Sequence, residues 1–185
     1  PYCDDCGKCA KVCPTKAINL DEQPRLLSVD VGAIILALGF QVYDATQLEE
    51  LGHGRYPNVL SAMQYERLAS RSGPTEGLVV RLSDKHPPKS IAWLQCIGSR
   101  DQQNAFCSSI CCMYATKEAL LAKQRLNADC SVFIMDERAF NKEYSAYFEK
   151  ARSSGIHYNR CRVSAVREDP ETHDLILHYA DANGQ

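Results

Sequence analysis

The chain has 185 residues, 45% of them hydrophobic and 24% charged, with a formal net charge of -2. That is an ordinary globular composition, too apolar for a disordered tail and too evenly charged to single out nucleic acid or an anionic membrane as a partner. Val29 to Phe40 is the best apolar run, but it is short and broken by Asp30 and Gly32, which argues against direct membrane insertion. With no signal peptide in view and ten cysteines in the chain, a reducing, cytoplasmic location is expected.

Cys3, Cys6, Cys9 and Cys13, followed at once by Pro14, form the run C-x-x-C-x-x-C-x-x-x-C-P, the spacing with which bacterial ferredoxins hold 4Fe-4S clusters. Three thiolates two residues apart can converge on three corners of one cubane. The fourth lies too far along to cap the same cube comfortably, and in two-cluster ferredoxins it serves the other cluster. Structural zinc is the alternative, although its cysteine pairs usually flank a longer loop. Thr15 to Leu20 is expected to continue as a short helical turn and then a strand.

Val31 to Gly39 reads as a strand buried on both faces of a parallel sheet, ending at a glycine. Gly39 would let the backbone approach a cofactor or another segment, and a plain turn glycine is an equal reading. From Phe40 to Ser90, glycines and prolines mark a connector with one embedded helix, where Ser61 and Gln64 make a capping-box pair ahead of Ala62, Tyr65, Leu68 and Ala69. His53 and His86 fall among these breakers and read as exposed loop histidines.

A clearer rhythm follows. Ser90 to Gln95 is a predicted strand, Ser109 to Leu126 a helix, Ser131 to Met135 a strand, Asn141 to Ser153 a helix and Ile156 to Tyr158 a strand. This β-α-β-α-β alternation predicts a Rossmann-like α/β domain with a parallel sheet. Arg162 to Arg167 and Leu175 to Tyr179 then predict an added β-hairpin. Asp136 stands where a ribose-binding acid could sit, but reads better as a solvated carboxylate at a strand end.

In a nucleotide-binding unit the turn after the first strand should carry G-x-G-x-x-G. Here it carries Cys96, Cys107, Cys111 and Cys112 instead. Cys111 and Cys112 fall in the first turn of the following helix, where free N–H groups and the positive end of the dipole favour anions. The same electrostatics suit a cluster held by thiolates. A redox-active Cys111–Cys112 pair, a zinc site and inert packing stay open on spacing alone. Cys130 and Cys161 have no motif around them and read as packing residues.

The ferredoxin run, Val31 to Phe40, Tyr56 to Val59, Ser72 to Thr75, Gln95 to Asp101, the Cys107 to Tyr114 stretch, and Met135-Asp136 with Arg138-Ala139-Phe140 together resemble the A-subunit of heterodisulfide reductase. The resemblance implies an FAD-containing iron-sulfur subunit on a thioredoxin-reductase-like scaffold, with 4Fe-4S ligation by Cys96, Cys107, Cys111 and Cys112. It implies that Val29 to Gly39 re-enters the flavin domain, with Gly39 and its neighbours touching FAD in the intact protein. The family's flavin phosphate loop and the other ferredoxin ligands are missing here, so that site would be incomplete. The chain begins at Pro1 and ends in a polar tail, Asp181 to Gln185, which reads as a piece of a longer protein.

The organisation expected is a partial ferredoxin-like segment at 1–24, a flavin-domain segment and connector at 25–88, and the Rossmann-like region at 89–185. The function expected is electron relay between FAD and other subunits of an oxidoreductase complex, the isolated piece being inactive. The rivals are a pyridine-nucleotide disulfide oxidoreductase using a Cys111/Cys112 dithiol, and a zinc-stabilised interaction module.

Overall fold

The computed structural model describes residues 3, 5–138, 140 and 142–180. The chain divides into two units, residues 1–40 and 41–185. The polar tail at 181–185, Ala139 and the expected helix start at Asn141 lie outside the described residues.

In the first unit the one regular element among the described residues is helix α1, Lys8–Val12. Gly7 caps it at φ 66°, a left-handed conformation that costs glycine little, and Cys13 leaves it in extended geometry. The helical turn thus lies between Cys6 and Cys13, inside the cysteine run. Thr15 to Leu20 forms a turn and irregular chain, not the helical turn and strand expected there.

Val31 to Gly39 is likewise no strand. The segment is irregular and open to solvent, with Ile35 and Leu38 each 90% exposed. A strand buried on both faces needs hydrogen-bonding neighbours and two covering layers. Among the described residues of this unit there is no other strand to supply them.

The second unit opens with two short 3₁₀ turns, Ala45–Gln47 and Glu49–Leu51, and helix α2, Ala62–Ala69. The α2 capping box is complete: Ser61 accepts from the Gln64 N–H, and the Gln64 side chain accepts from the Ser61 N–H. Then come β1 (Ser90–Leu94), α3 (Cys111–Leu126), β2 (Asp129–Ile134), α4 (Tyr144–Ser153) and β3 (Ile156–Arg160). The three strands form one parallel sheet in the order β1-β2-β3, with Leu94 opposite Phe133 and Val132 opposite Tyr158. The hairpin is β4 (Val163–Glu168) with β5 (Leu175–Tyr179), antiparallel with an irregularity between Val163 and Ala165.

The period-2 alternation of the strands sorts their side chains onto two faces. On one face Trp93, Cys130, Val132, Ile134 and Ile156 pack with Ala115, Ala119 and Ala122 of α3, Phe148 and Ala151 of α4, and Tyr65 of α2. Alanine at three α3 positions lets the helix backbone sit close on the sheet. On the other face Phe133 and Leu94 meet Leu51, Val163, Val166 and Leu177, so the hairpin and a 3₁₀ turn cover it. Phe133 and Tyr179 pack edge to face, with ring centroids 5.1 Å apart. Cys130 is fully buried in the first cluster and Cys161 packs at the edge of the second, as expected of both. Among the described residues no helix is long and apolar enough to cross a membrane.

Candidate functional site

The β1–α3 junction gathers the second cysteine set. The ladder continues one step past β1, where Gln95 N–H donates to the Phe133 carbonyl at 3.0 Å, and the chain then breaks away at Cys96 with φ 61°. Gly98 follows at φ 68°. The excursion is closed by Arg100 N–H donating to the Phe106 carbonyl (3.1 Å), while the Asp101 carboxylate accepts from the Gln103 and Asn104 N–H groups at 2.9 and 2.7 Å. That Asx-type turn brings Cys107 back towards the strand end. Cys111 and Cys112 open α3, and Ile110, at the cap position, supplies no capping side chain. The start of α3 is pinned to β3 by Thr116, whose buried hydroxyl donates to the Cys112 carbonyl (2.8 Å) and pairs with the Tyr158 hydroxyl (2.9 Å).

The four thiols share one neighbourhood. Burial pushes the Cys96 thiol up, with the Arg100 guanidinium opposing and Cys107 and Cys111 adding to the rise. Burial also pushes Cys112 up, and Cys96, Cys111 and Cys107 are again felt there. Two of the sulfurs meet a hydrogen-bonding group, the Ser109 N–H at Cys107 (3.3 Å) and the Ser108 hydroxyl at Cys111 (2.7 Å). Cys96 and Cys112 are buried, Cys107 and Cys111 half-buried, and no disulfide joins any of the four.

Asp136, just past β2, is a strand-end carboxylate still 37% exposed, in keeping with expectation, but it is also tied by two arginines that the sequence did not point to. It is bound by Arg100 and by Arg138, whose Nε lies 3.2 and 3.1 Å from its two oxygens and whose Nη2 lies 3.0 Å from Oδ2. Arg100 and then Arg138 hold the Asp136 carboxyl below the usual range. Two guanidinium groups converge there because the loop after β2 faces the loop after β1, a proximity that the parallel register creates and the linear sequence does not display. This Arg100–Asp136–Arg138 group was missed in the sequence. The signal available was its two arginines, in the segments Gln95 to Asp101 and Arg138 to Phe140.

His53 departs from expectation. It is half-buried, with Nε2 3.1 Å from the Gln64 Oε1, and so braces the start of α2. His86 is exposed, as expected.

In the first unit the cysteine run is solvent-facing. Cys3, Cys6 and Cys9 are exposed and Cys13 half-buried. Cys13 Sγ lies 3.4 Å from the Thr15 hydroxyl, which lowers the thiol's pKa. Among the described residues no three Cys, His, Asp or Glu side chains already converge on a common metal position, in either set. The donor chemistry nonetheless fits a thiolate-held cluster at both. In the second set, Cys107 and Cys111 already meet N–H and O–H groups of the kind that bound sulfurs use, and Cys96 and Cys112 supply burial.

Gly39 carries φ 75°, and no atom lies within 4 Å of where a Cβ would stand. The backbone conformation is the one that glycine permits, but nothing is built around it among the described residues. The arrangement does not fit a flavin site.

The profile of the 4Fe-4S binding domain matches residues 2–19. The chain is 44% identical over 169 residues to the second iron-sulfur A-subunit of the CoB–CoM heterodisulfide reductase of Methanopyrus kandleri, a match covering 89% of the chain and 26% of that protein. It is 40% identical over 185 residues to the iron-sulfur A-subunit of the CoB–CoM heterodisulfide reductase of Methanocaldococcus jannaschii, covering 97% and 28% respectively. It is also 42% identical over 170 residues to the A-subunit of the H(2)/formate:CoB-CoM heterodisulfide,ferredoxin reductase of Methanococcus maripaludis, covering 90% and 26%. By sequence the chain is similar to heterodisulfide reductase A-subunits over about a quarter of their length.

Proposed function

We propose that this chain is the electron-relay part of a cytoplasmic iron-sulfur oxidoreductase subunit, passing electrons between partner subunits through two cysteine-held centres. Cys3, Cys6, Cys9 and Cys13 serve the first, with Cys13 able to serve a neighbouring cluster. Cys96, Cys107, Cys111 and Cys112 hold the second. The organisation is a ferredoxin-like segment at 1–24, a flavin-domain segment and connector at 25–88, and a Rossmann-like region at 89–185.

The observation that supports the reading is that Cys96, Cys107, Cys111 and Cys112 all fall in the turn after β1 and the first turn of α3, near enough for their charges to be felt at Cys96 and Cys112, with hydrogen-bonding neighbours at Cys107 and Cys111. When bound, a 4Fe-4S cluster supplies one-electron transfer. The chain's own residues supply four ligands, burial on the side of Cys96 and Cys112, and donors that favour the more negative charge state. FAD exchange in the intact subunit is the finer part of the proposal. It rests on family resemblance, and no step is assigned to Gly39.

Anaerobic reconstitution of the full-length subunit with iron and sulfide tests this. The Cys111→Ala, Cys112→Ala double variant should lose about four iron atoms relative to wild type, the content of one 4Fe-4S cluster. Unchanged iron content would sink the assignment of the second set. Zinc without iron in anoxically purified protein would select the zinc module instead.

A further inference from the structure

A groove opens between α2, the C-terminal half of α3 and the chain segment 71–79 that follows α2. It is about 300 Å³ in volume, at the small end of binding cavities. Tyr65, Val79 and Ala122 are buried at its base, and Leu78, Leu121 and Leu126 also line it. Leu78 is 66% exposed, a large apolar side chain standing in water at the mouth.

Arg71, Arg125 and Glu76 supply the charge of the rim. Arg125 Nη1 donates to the Ala69 carbonyl at 3.0 Å, which fixes the guanidinium against the end of α2 without neutralising it. Elsewhere in the chain Arg81, Arg100, Arg138 and Arg152 each meet a carboxylate. Among the described residues Arg71 and Arg125 meet none, although Glu76 lines the same groove. Two guanidinium groups and one carboxylate leave the rim positive on a chain whose net charge is -2.

We propose that this groove docks a partner subunit, taking from it an apolar side chain with a carboxylate close beside it. The apolar base receives the side chain. The arginines receive the carboxylate, whose two oxygens match the planar guanidinium fork. A small molecule filling the groove would leave Leu78 in water, whereas a polypeptide that continues past the mouth covers it. A second copy of this chain would set the same arginines against each other at a two-fold contact, like charge facing like. The proposal rests on the reading of the chain as a relay part among partner subunits, and adds the surface by which one of them binds.

The test is carbene labelling of Leu78, read by peptide mass spectrometry, in the anaerobically purified full-length subunit and in its native complex with the other subunits. Leu78 should label in the free subunit and be protected in the complex. Labelling that persists in the complex would overturn the proposal. Protection already present in the free subunit would overturn it too, because the subunit's own chain or a retained small molecule would then fill the groove.

Reassembly of the complex from charge variants supplies the sign. Arg71→Gln combined with Arg125→Gln should weaken assembly roughly tenfold or more and flatten its salt dependence, while Glu76→Gln should tighten it. All three side chains are exposed, so folding is little affected. Arg71→Lys with Arg125→Lys should recover part of the affinity. Unchanged assembly in the double glutamine variant, or weaker assembly in Glu76→Gln, refutes the proposal. Failure of the relay reading shows itself separately, as iron retained in full by the Cys111→Ala, Cys112→Ala variant, a result on which Leu78 labelling does not depend.

Discussion

The indole Nε1 of Trp93 donates to Oε2 of Glu118 at 2.8 Å, a buried hydrogen bond that ties β1 to α3. Glu118 is fully buried, and its other oxygen, Oε1, meets no partner. A bare carboxylate in such a place would be costly, so the proton stays on. Burial pushes the Glu118 carboxyl up to about 7, with the Trp93 N–H opposing and the Glu66 charge adding to the rise.

The pH dependence follows with a definite sign. Below the ordinary value of 4.5 the group is protonated whether the chain is folded or not. Between 4.5 and about 7 only the unfolded chain ionises, so stability falls as pH rises through this window and levels off above it. The loss attributable to Glu118 is roughly 3 kcal/mol. Glu118→Gln keeps an acceptor for Trp93 and cannot ionise. Urea unfolding at a series of pH values should show this contribution to the slope vanish in Glu118→Gln, and an identical slope in both proteins would refute the account.

Ala119 has no exposed surface and sits on the α3 face that meets the sheet. Ala119→Leu inserts three carbons where two backbones already approach, and should destabilise the chain by about 1–3 kcal/mol. Gln124→Leu, on the exposed side of the same helix, should change stability by less than about 0.5 kcal/mol. Equal effects at the two sites would mean that α3 does not pack as described.

The β-α-β-α-β order was legible because each element carries its own period: Val132 and Phe133 alternate faces, while Ala115, Ala119 and Ala122 recur on one helical stripe. The hairpin and the opening of α3 by Cys111 and Cys112 were legible for the same local reasons. Val31 to Gly39 was misread because an apolar β-branched run states what a strand would bury, and says nothing of whether neighbours are there to pair with it. The Arg100–Asp136–Arg138 group stayed hidden for a different reason. Thirty-six residues separate Arg100 from Asp136, and only the parallel register places their loops side by side. His53 was misjudged because its partner, Gln64, is set by how α2 is capped.

That capping is itself measurable. Ser61→Ala removes the acceptor for the Gln64 N–H and breaks the reciprocal box. The expected cost is about 1 kcal/mol. Tyr65, one turn into α2, packs edge to face on Trp93 with centroids 5.8 Å apart, so fraying of α2 should raise the indole's solvent exposure. Trp93 is the chain's single tryptophan, and a red shift of its emission in Ser61→Ala would report that directly. Unchanged stability and emission would show that α2 is held by packing alone.

Gly98 is the tightest point of the turn that carries Cys96. A Cβ there would fall 2.4 Å from two ring carbons of Tyr43, and the residue stands at φ 68°. Two costs therefore attach to Gly98→Ala. The left-handed backbone costs an alanine about 1–2 kcal/mol, and the clash adds more unless the Tyr43 ring moves aside. Tyr43→Ala removes the second cost and leaves the first. In a double-mutant cycle, Gly98→Ala should be less destabilising in the Tyr43→Ala background than in wild type, the difference being the steric part. Because the displaced turn also carries Cys96, anaerobic loading of the second cysteine set should fall in Gly98→Ala while the first set keeps its iron. Additive stability effects, or equal iron loss from both sets, would show that Tyr43 and Gly98 do not set the geometry of this turn.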